Sequence, residues 1–301
     1  MSLCVLKNMN SGIDVCDKSI GKINRVVFVP DGTPITPADG ARLFAFLKEK
    51  LEDVNPATRW YITPVNPNQI ADNSSEPVEA SLADGSSEQL LPGNLIQTLE
   101  WWSKIGHDKV INKFNQYNGP AFLITEMGII GMEDGVNQYP VNIKVAVSGG
   151  GLQTTDTSPR TKKMKINIGD ELEFQNQLCF YPLETSRVNM LKGLRDMYLS
   201  AVKTSDGIAN IRITIGADKR TNVFDIPSFK TALLDKDNWR VNGGSTEITS
   251  VASDEANKSF EINIGSGSFV IDTAPIDVLK AAGIEGYEGI PVIVDVVDAI
   301  P

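Results

Sequence analysis

The chain is short of the residues that most often carry chemistry. It holds one histidine, His107, in 301 residues, so any Ser-His-Asp or Cys-His arrangement has to use it. No nucleophile elbow surrounds any serine. His107 stands beside Asp108 at the start of an expected short helix, which is the setting of a surface histidine. The three cysteines, Cys4, Cys16 and Cys179, are an odd number without CxxC spacing. That argues against a disulfide framework and against a zinc site. Cys4 and Cys16 are expected as free thiols from a reducing site of synthesis, with a mutual bond or a metal site shared with other chains left open. Cys179, within Gln177–Tyr181, reads as a small buried apolar residue. No run approaches 18 apolar residues, so no transmembrane helix is expected. The start, Met1-Ser-Leu-Cys-Val-Leu-Lys-Asn, has no apolar h-region, so no secretory signal is expected.

Positive charge is also in short supply. Lys and Arg total 28 against 38 Asp and Glu, a formal net charge of −10. Tight binding to nucleic acid needs clustered cations on the phosphates, and this balance disfavours it. It is compatible with a surface along which DNA slides without sticking, and with plain solubility at high copy number. The hydrophobic fraction of 41% is that of an ordinary globular protein, so wholesale disorder is not expected.

What the chain does have is strands. Residues 1–21 look like a polar arm without a period. Ile23 to Pro30 is a strong strand, and Asp31-Gly32 a turn. Thr36-Pro37-Ala38-Asp39 opens a helix, with threonine as cap, proline at the first position and an acidic residue three on from the cap. Leu43, Phe44, Leu47 and Leu51 form its stripe. Arg59 to Thr63 is another strand. Residues 64–93 are loop chemistry, with a short strand from Val78 to Leu82, and form either a mobile surface loop or one that reaches a neighbouring subunit. The stretch Asn94 to Met132 reads as strand, short helix and hairpin. Val110, Ile111, Phe114 and Tyr117 share the helical face, and Gly128 lies near the hairpin turn. Pro140 to Val147 alternates cleanly. Lys163–Ile168 and Glu171–Tyr181 read as a hairpin joined by Gly169-Asp170. Thr185 to Val202 follows the helical period and is expected as a bridging helix. From Ile208 short strands recur, at 211–215, 239–241, 247–251, 259–264, 268–271 and 291–297. Two short helices, 227–234 and 275–282, interrupt them, and the block suggests an immunoglobulin-like sandwich.

No candidate site survives this reading. Ser148-Gly-Gly-Gly-Leu152 lacks the Gly-Lys-Ser/Thr of a phosphate loop, and Gly265-Ser-Gly-Ser-Phe269 is a hairpin turn rather than a dinucleotide fingerprint. The Asp-Gly pairs do not share one calcium loop. Glu171 and Glu173 would face one side of a strand, a geometry open to acid/base catalysis but better read as a solvated sheet face. Arg160, Lys162, Lys163 and Lys165 form a small basic cluster beside a polar loop, a subunit contact or a solvated loop. Trp101 and Trp102, being adjacent, point to opposite faces, one to the core and one outward or to a partner. No catalytic, cofactor-binding or metal residue is therefore assigned, no cofactor is expected, and the chain reads as a non-enzyme.

The order of elements from Asn94 to Pro182 resembles the tube-forming core of tailed-bacteriophage tail proteins, with the likeness extending over roughly residues 22–182. The resemblance implies a mainly β, α+β fold: a β-sandwich or barrel with a flanking helix, plus an added C-terminal immunoglobulin-like domain. The corresponding boundaries are an arm at 1–21, a tube-like domain at 22–205 with the long loop 64–93, and a domain at 206–301. The implied function is structural and the implied place is the virion. Its own copies would join in hexameric rings that stack into a tail tube, with the arm and long loop binding adjacent rings. The lumen would be negative, with DNA as non-specific cargo and other virion proteins, not a membrane, as further partners. A neck, capsid-decoration or adhesin-like module is the alternative, and a carboxylate-based hydrolase a third reading.

Overall fold

The computed structural model describes residues 22–65, 67–76, 78–81, 87–91, 93–126, 128–151, 160–170, 178–205, 207–216, 218–242 and 248–296. The chain divides into two compact units, Met1–Gly193 and Leu194–Pro301. The fold is mainly β with short helices, as expected. The division falls earlier than the expected 205/206 boundary.

In the first unit, β1 (Ile23–Phe28) reads Ile-Asn-Arg-Val-Val-Phe. Such a run lacks clean alternation, and a strand of this kind is stable only when both faces are covered. Helices α1 (Pro37–Ala41) and α2 (Leu43–Leu51) follow. Thr36 and Asp39 close a reciprocal capping box at the start of α1, so the expected helix start is met. The chain then makes β2 (Tyr61–Ile62), β3 (Gln69–Asp72), the hairpin β4 (Val78–Ser81) and β5 (Ser87–Leu91), and β6 (Asn94–Trp102). Residues 64–93 are thus not one bare loop, because β3 is a full member of the large sheet, paired to β6. After α3 (Ile105–Asn112) come β7 (Asn118–Thr125), β8 (Gly128–Glu133), β9 (Gln138–Tyr139), β10 (Val141–Gly149), β11 (Thr161–Asp170) and β12 (Leu178–Pro182), then α4 (Thr185–Met190). The expected order of strand, helix and hairpin between Asn94 and Met132 is present.

The sheet forks at β7. Ala121 pairs with Phe28 on one edge and Val141 on the other, while Leu123 pairs with Val26 and Ile130. So β1 runs along one edge of β7, and β10 and β8 share the opposite edge in succession. One limb continues β10-β11-β6-β3 and the other β8-β12. Their apolar faces enclose a core containing Val26, Phe28, Trp101, Leu123, Val145 and Met164. Strands that bend from one layer to another in this way build a sandwich-like corner. Among the described residues the path ends at β3 and β12 and is not a closed barrel. The back of β1 and β7, carrying Val27, Phe122 and Ile124, packs with Val29 on α2 and on Trp60 in a second core.

Two expectations fail here. The hairpin read across Gly169-Asp170 does not form. β11 lies between β10 and β6, and β12 pairs with β8 instead. Both strands satisfy the same apolar pattern, and local spacing cannot choose among partners brought together by the fork. The helix read over 185–202 also stops early. Leu191 is extended, with φ −66° and ψ 120°, and β13 (Arg195–Ser205) begins four residues later. Met197 and Leu199 are buried on alternate positions, a period of two that is mimicked by the helical spacing of Val188, Leu191 and Tyr198.

The second unit comprises β13, β14 (Ile208–Ile215), β15 (Thr221–Asn222), α5 (Pro227–Leu233), β16 (Trp239–Val241), β17 (Ser250–Asp254), β18 (Ser259–Asn263), β19 (Gly267–Thr273), α6 (Ile276–Ala281), β20 (Tyr287–Ile290) and β21 (Val292–Val296). One sheet runs β17-β18-β14-β13-β20, and a three-stranded sheet runs β16-β19-β21. Pro291 separates β20 from β21, so the chain changes sheets where it has no N–H to give. The layers are sandwich-like, around Trp239, Phe260, Ile211, Ile262 and Leu279. β13 and β20 pair in parallel, which departs from the purely antiparallel sheets of the expected immunoglobulin arrangement.

Candidate functional site

The limb β10-β11-β6-β3 presents one wet face. Along β10, Val141, Ile143 and Val145 are buried while Asn142, Lys144 and Ala146 are exposed. The registers set Lys144 opposite Asn167, Lys165 opposite Ala146 and Thr98, and Lys163 opposite Ser148 and Glu100. Lys163 Nζ lies 3.3 Å from Glu100 Oε2. Gln69 and Ala71 of β3 extend the same rows to the sheet end. Trp102 is 46% exposed on this face, whereas Trp101 is 1% exposed in the core. The expected split of the tryptophans is therefore seen.

The expected basic cluster is divided by the same alternation. Lys163 and Lys165 point outward. Lys162 is buried, opposite Trp101, and its Nζ donates to the carbonyl of Gly149 at 2.9 Å. Arg160 reaches back to the Gly150 carbonyl at 3.3 Å. Among the described side chains, the outward face thus carries Lys144, Lys163 and Lys165 with Glu100.

The Gly149-Gly150-Gly151 run has a local task. All three have positive φ, at 74°, 83° and 94°, a region that favours glycine. The run wraps the carboxylate of Asp108, in the first turn of α3. Asp108 Oδ2 accepts from Ser103 Oγ at 2.6 Å and from the Gly151 N–H at 3.4 Å. A Cβ on Gly150 would sit 2.8 Å from that oxygen. The triplet thus anchors the start of α3 against β6 and β11. The backbone of His107 lies in α3, and its side chain is outside the described residues. So are Glu171, Glu173, Cys4 and Cys16. Cys179 is buried as expected, and burial pushes its thiol up to about 12, which leaves it unreactive.

Sequence reasoning passed over Arg25. It is 3% exposed on β1. Its Nε and Nη2 donate to the Thr63 carbonyl at 3.0 and 2.7 Å, and its Nη1 donates to the carbonyls of Val188 and Leu191 at 2.7 and 2.9 Å. The guanidinium thereby ties β1 to the end of α4, whose last carbonyls lack helical partners. The signal available was a lone cation inside an apolar strand.

Among the described residues, no group of three or more His, Cys, Asp and Glu side chains is placed to hold a metal ion. Among them, too, no helix is long and apolar enough to cross a membrane. Comparison of the chain with models of protein families returns no match, and comparison with curated proteins returns none either.

Proposed function

We propose that the chain is a non-enzymatic structural subunit of a tailed-phage particle, built to join its own copies into rings of the tail-tube kind. The observation that carries this reading is the arrangement of the first unit. Strand β6 and hairpin β7–β8, with the short helix α3 between them in sequence, belong to a forked sheet whose path ends at β3 and β12 among the described residues. A row of unpaired backbone groups at a sheet end is a template for another chain. Pairing the β3 end of one copy with the β12 end of the next is a heterologous contact, which closes into a ring when the rotation per subunit allows. Trp102, exposed on β6 beside β3, is then covered by the neighbour, as an interface aromatic would be.

One implied feature fits poorly. The resemblance calls for an acidic lumen, and the wet face of β10-β11-β6-β3 bears Lys144, Lys163 and Lys165 against Glu100. That face suits a contact with an acidic neighbour better than a channel along which DNA slides. The alternative, a neck, decoration or adhesin-like module, draws support from the second unit. Val270 and Ile293 are 42% and 72% exposed and sit opposite each other on β19 and β21.

The test is negative-stain electron microscopy of the purified protein, with its mass in solution measured alongside. Rings or tubes with a central channel are expected. A stable monomer at high concentration, unchanged by an initiating partner protein, overturns the ring reading in favour of the decoration module.

A further inference from the structure

Arg25 opens onto a cavity of about 310 Å³ that is also lined by Asn24, Asn189, Thr125, Glu126 and Ile70. A guanidinium has five N–H donors, and four hydrogen bonds to carbonyls are made. Among the described residues, one Nη2 N–H is left without an acceptor. The side-chain amides of Asn24 and Asn189 make no hydrogen bond within the described residues. The cavity therefore gathers spare donors around a cation that is already almost wholly out of water.

Such a cation is costly unless something balances it. Carbonyl dipoles satisfy its hydrogen bonds but do not cancel its charge. Burial lowers the Arg25 guanidinium to about 10. Glu126 lines the same cavity, and its charge limits how much negative charge a guest can bring. One guanidinium with one free N–H, two amides and a nearby carboxylate suits a singly charged, flat oxygen group and disfavours a dianion. At about 310 Å³ the space is at the small end of ligand sites.

We propose that this cavity is a binding site for a carboxylate group, received by the spare Arg25 N–H and oriented by Asn24 and Asn189. The carboxylate comes from a free small acid or from an acidic side chain of a second copy of this chain. The site is independent of the ring reading, since it rests on Arg25 and not on the sheet ends.

The probe is sodium acetate, titrated against sodium chloride at equal ionic strength and pH 7, with inorganic phosphate as a third arm. The readout is the Arg25 Nε–H resonance in full-length protein. A saturable shift is expected with acetate, with half-saturation on the order of millimolar. Asn189→Ala is expected to weaken it about three- to tenfold, the worth of one hydrogen bond to a charged group. Asn189→Asp supplies the anion internally, so it is expected to abolish acetate binding and raise the melting temperature. Asn189 is exposed, and neither change disturbs packing. An unsaturable shift, an unaltered titration in Asn189→Asp, or tighter binding of phosphate than acetate overturns the proposal. Sedimentation of the same samples separates the two sources. Assemblies that acetate dissociates and chloride does not place the carboxylate on a second copy, and binding without change in mass assigns it to a free acid.

Discussion

Two parts of one sheet, β1 with β7 and β10 with β11, solve opposite problems. β1 and β7 are covered on both faces. Val26, Phe28, Ala121 and Leu123 face the sandwich core, while Val27, Phe122 and Ile124 face α2 and Trp60. β10 and β11 are covered on one face only, with Val145 and Ile166 inward and Lys144 and Lys165 outward. Their sequences differ accordingly. One pair reads as apolar runs and the other as strict alternation. The lesson is that burial in this unit is decided by strand position relative to the fork at β7.

The comparison breaks first at Phe28. Its ring stacks on Phe114 with centroids 4.1 Å apart and meets Tyr117 edge-on at 4.8 Å. Phe28→Ala removes the link between β1 and the chain following α3, and is expected to cost about 3–5 kcal/mol. Lys165→Ala, on the one-sided strand, is expected to stay within about 0.5 kcal/mol. Urea unfolding of both variants measures the contrast. Equal losses would mean that the two strand pairs are not differently buried.

A smaller effect is expected at the glycine triplet that closes the one-sided wall over α3. Gly150→Ala must hold φ near +83° and place a Cβ 2.8 Å from Asp108 Oδ2. The expected cost is about 1–3 kcal/mol. Asp108→Ala in the same background removes the clash but not the backbone strain. The double variant should recover part of the loss relative to the sum of the singles. Strict additivity in thermal unfolding would show that the carboxylate does not organise the loop.

Much of this was legible in the sequence, for identifiable reasons. The cap at Thr36, the alternation of β10 and the opposed tryptophans are local, and local chemistry fixes them. The partners of β11 and β12 were not legible, because pairing depends on the fork at β7, many residues away. The end of α4 was misread because Val188, Leu191, Tyr198 and Val202 follow the helical period, while the buried Met197 and Leu199 among them follow a period of two. Lys162 was grouped with its neighbours because a charge run in sequence conceals which member points inward. Arg25 was missed because its partners, Thr63, Val188 and Leu191, are carbonyls, and any residue type supplies those.

The second unit sharpens the comparison at the end of a one-sided strand. On β19, Asp272 is only partly exposed, and its carboxyl is raised by desolvation. The N–H of Thr273 opposes that shift, and the charge of Glu288 adds to it. A carboxyl raised by folding binds its proton more tightly in the folded state. Its stabilising contribution is complete below the unfolded value, about 3.9, and is lost as pH rises through the folded value. Asp272→Asn should therefore gain stability at neutral pH relative to the parent, and the gain should shrink toward zero on acidification. Paired denaturant titrations at pH 7 and pH 3 cancel the opposite contributions of Asp53, Asp72 and Asp134, whose carboxyls are lowered by hydrogen bonds. A difference that does not change with pH would show that the strand end is as wet as its middle.

The smallest expected effect on stability is also the one that bears most on function. Trp102 is 46% exposed on the lysine-bearing face, one position from the fully buried Trp101. An exposed side chain on a wet face contributes little to folding, so Trp102→Ala should leave the melting temperature within the range of a surface change, about 0.5 kcal/mol. If the β3 end of the sheet is joined to a second copy, that indole is buried in the assembly. Truncating a buried interface aromatic typically costs about 2 kcal/mol or more. Folding and assembly should then separate: unchanged unfolding, with ring formation shifted to much higher protein concentration. Lys144→Ala, farther from β3 on the same face, is the control, and it should alter only the salt dependence of assembly. If Trp102→Ala assembles as the parent does, the indole is not part of the contact between copies, which then has to be sought at the β12 end of the sheet or in the second unit.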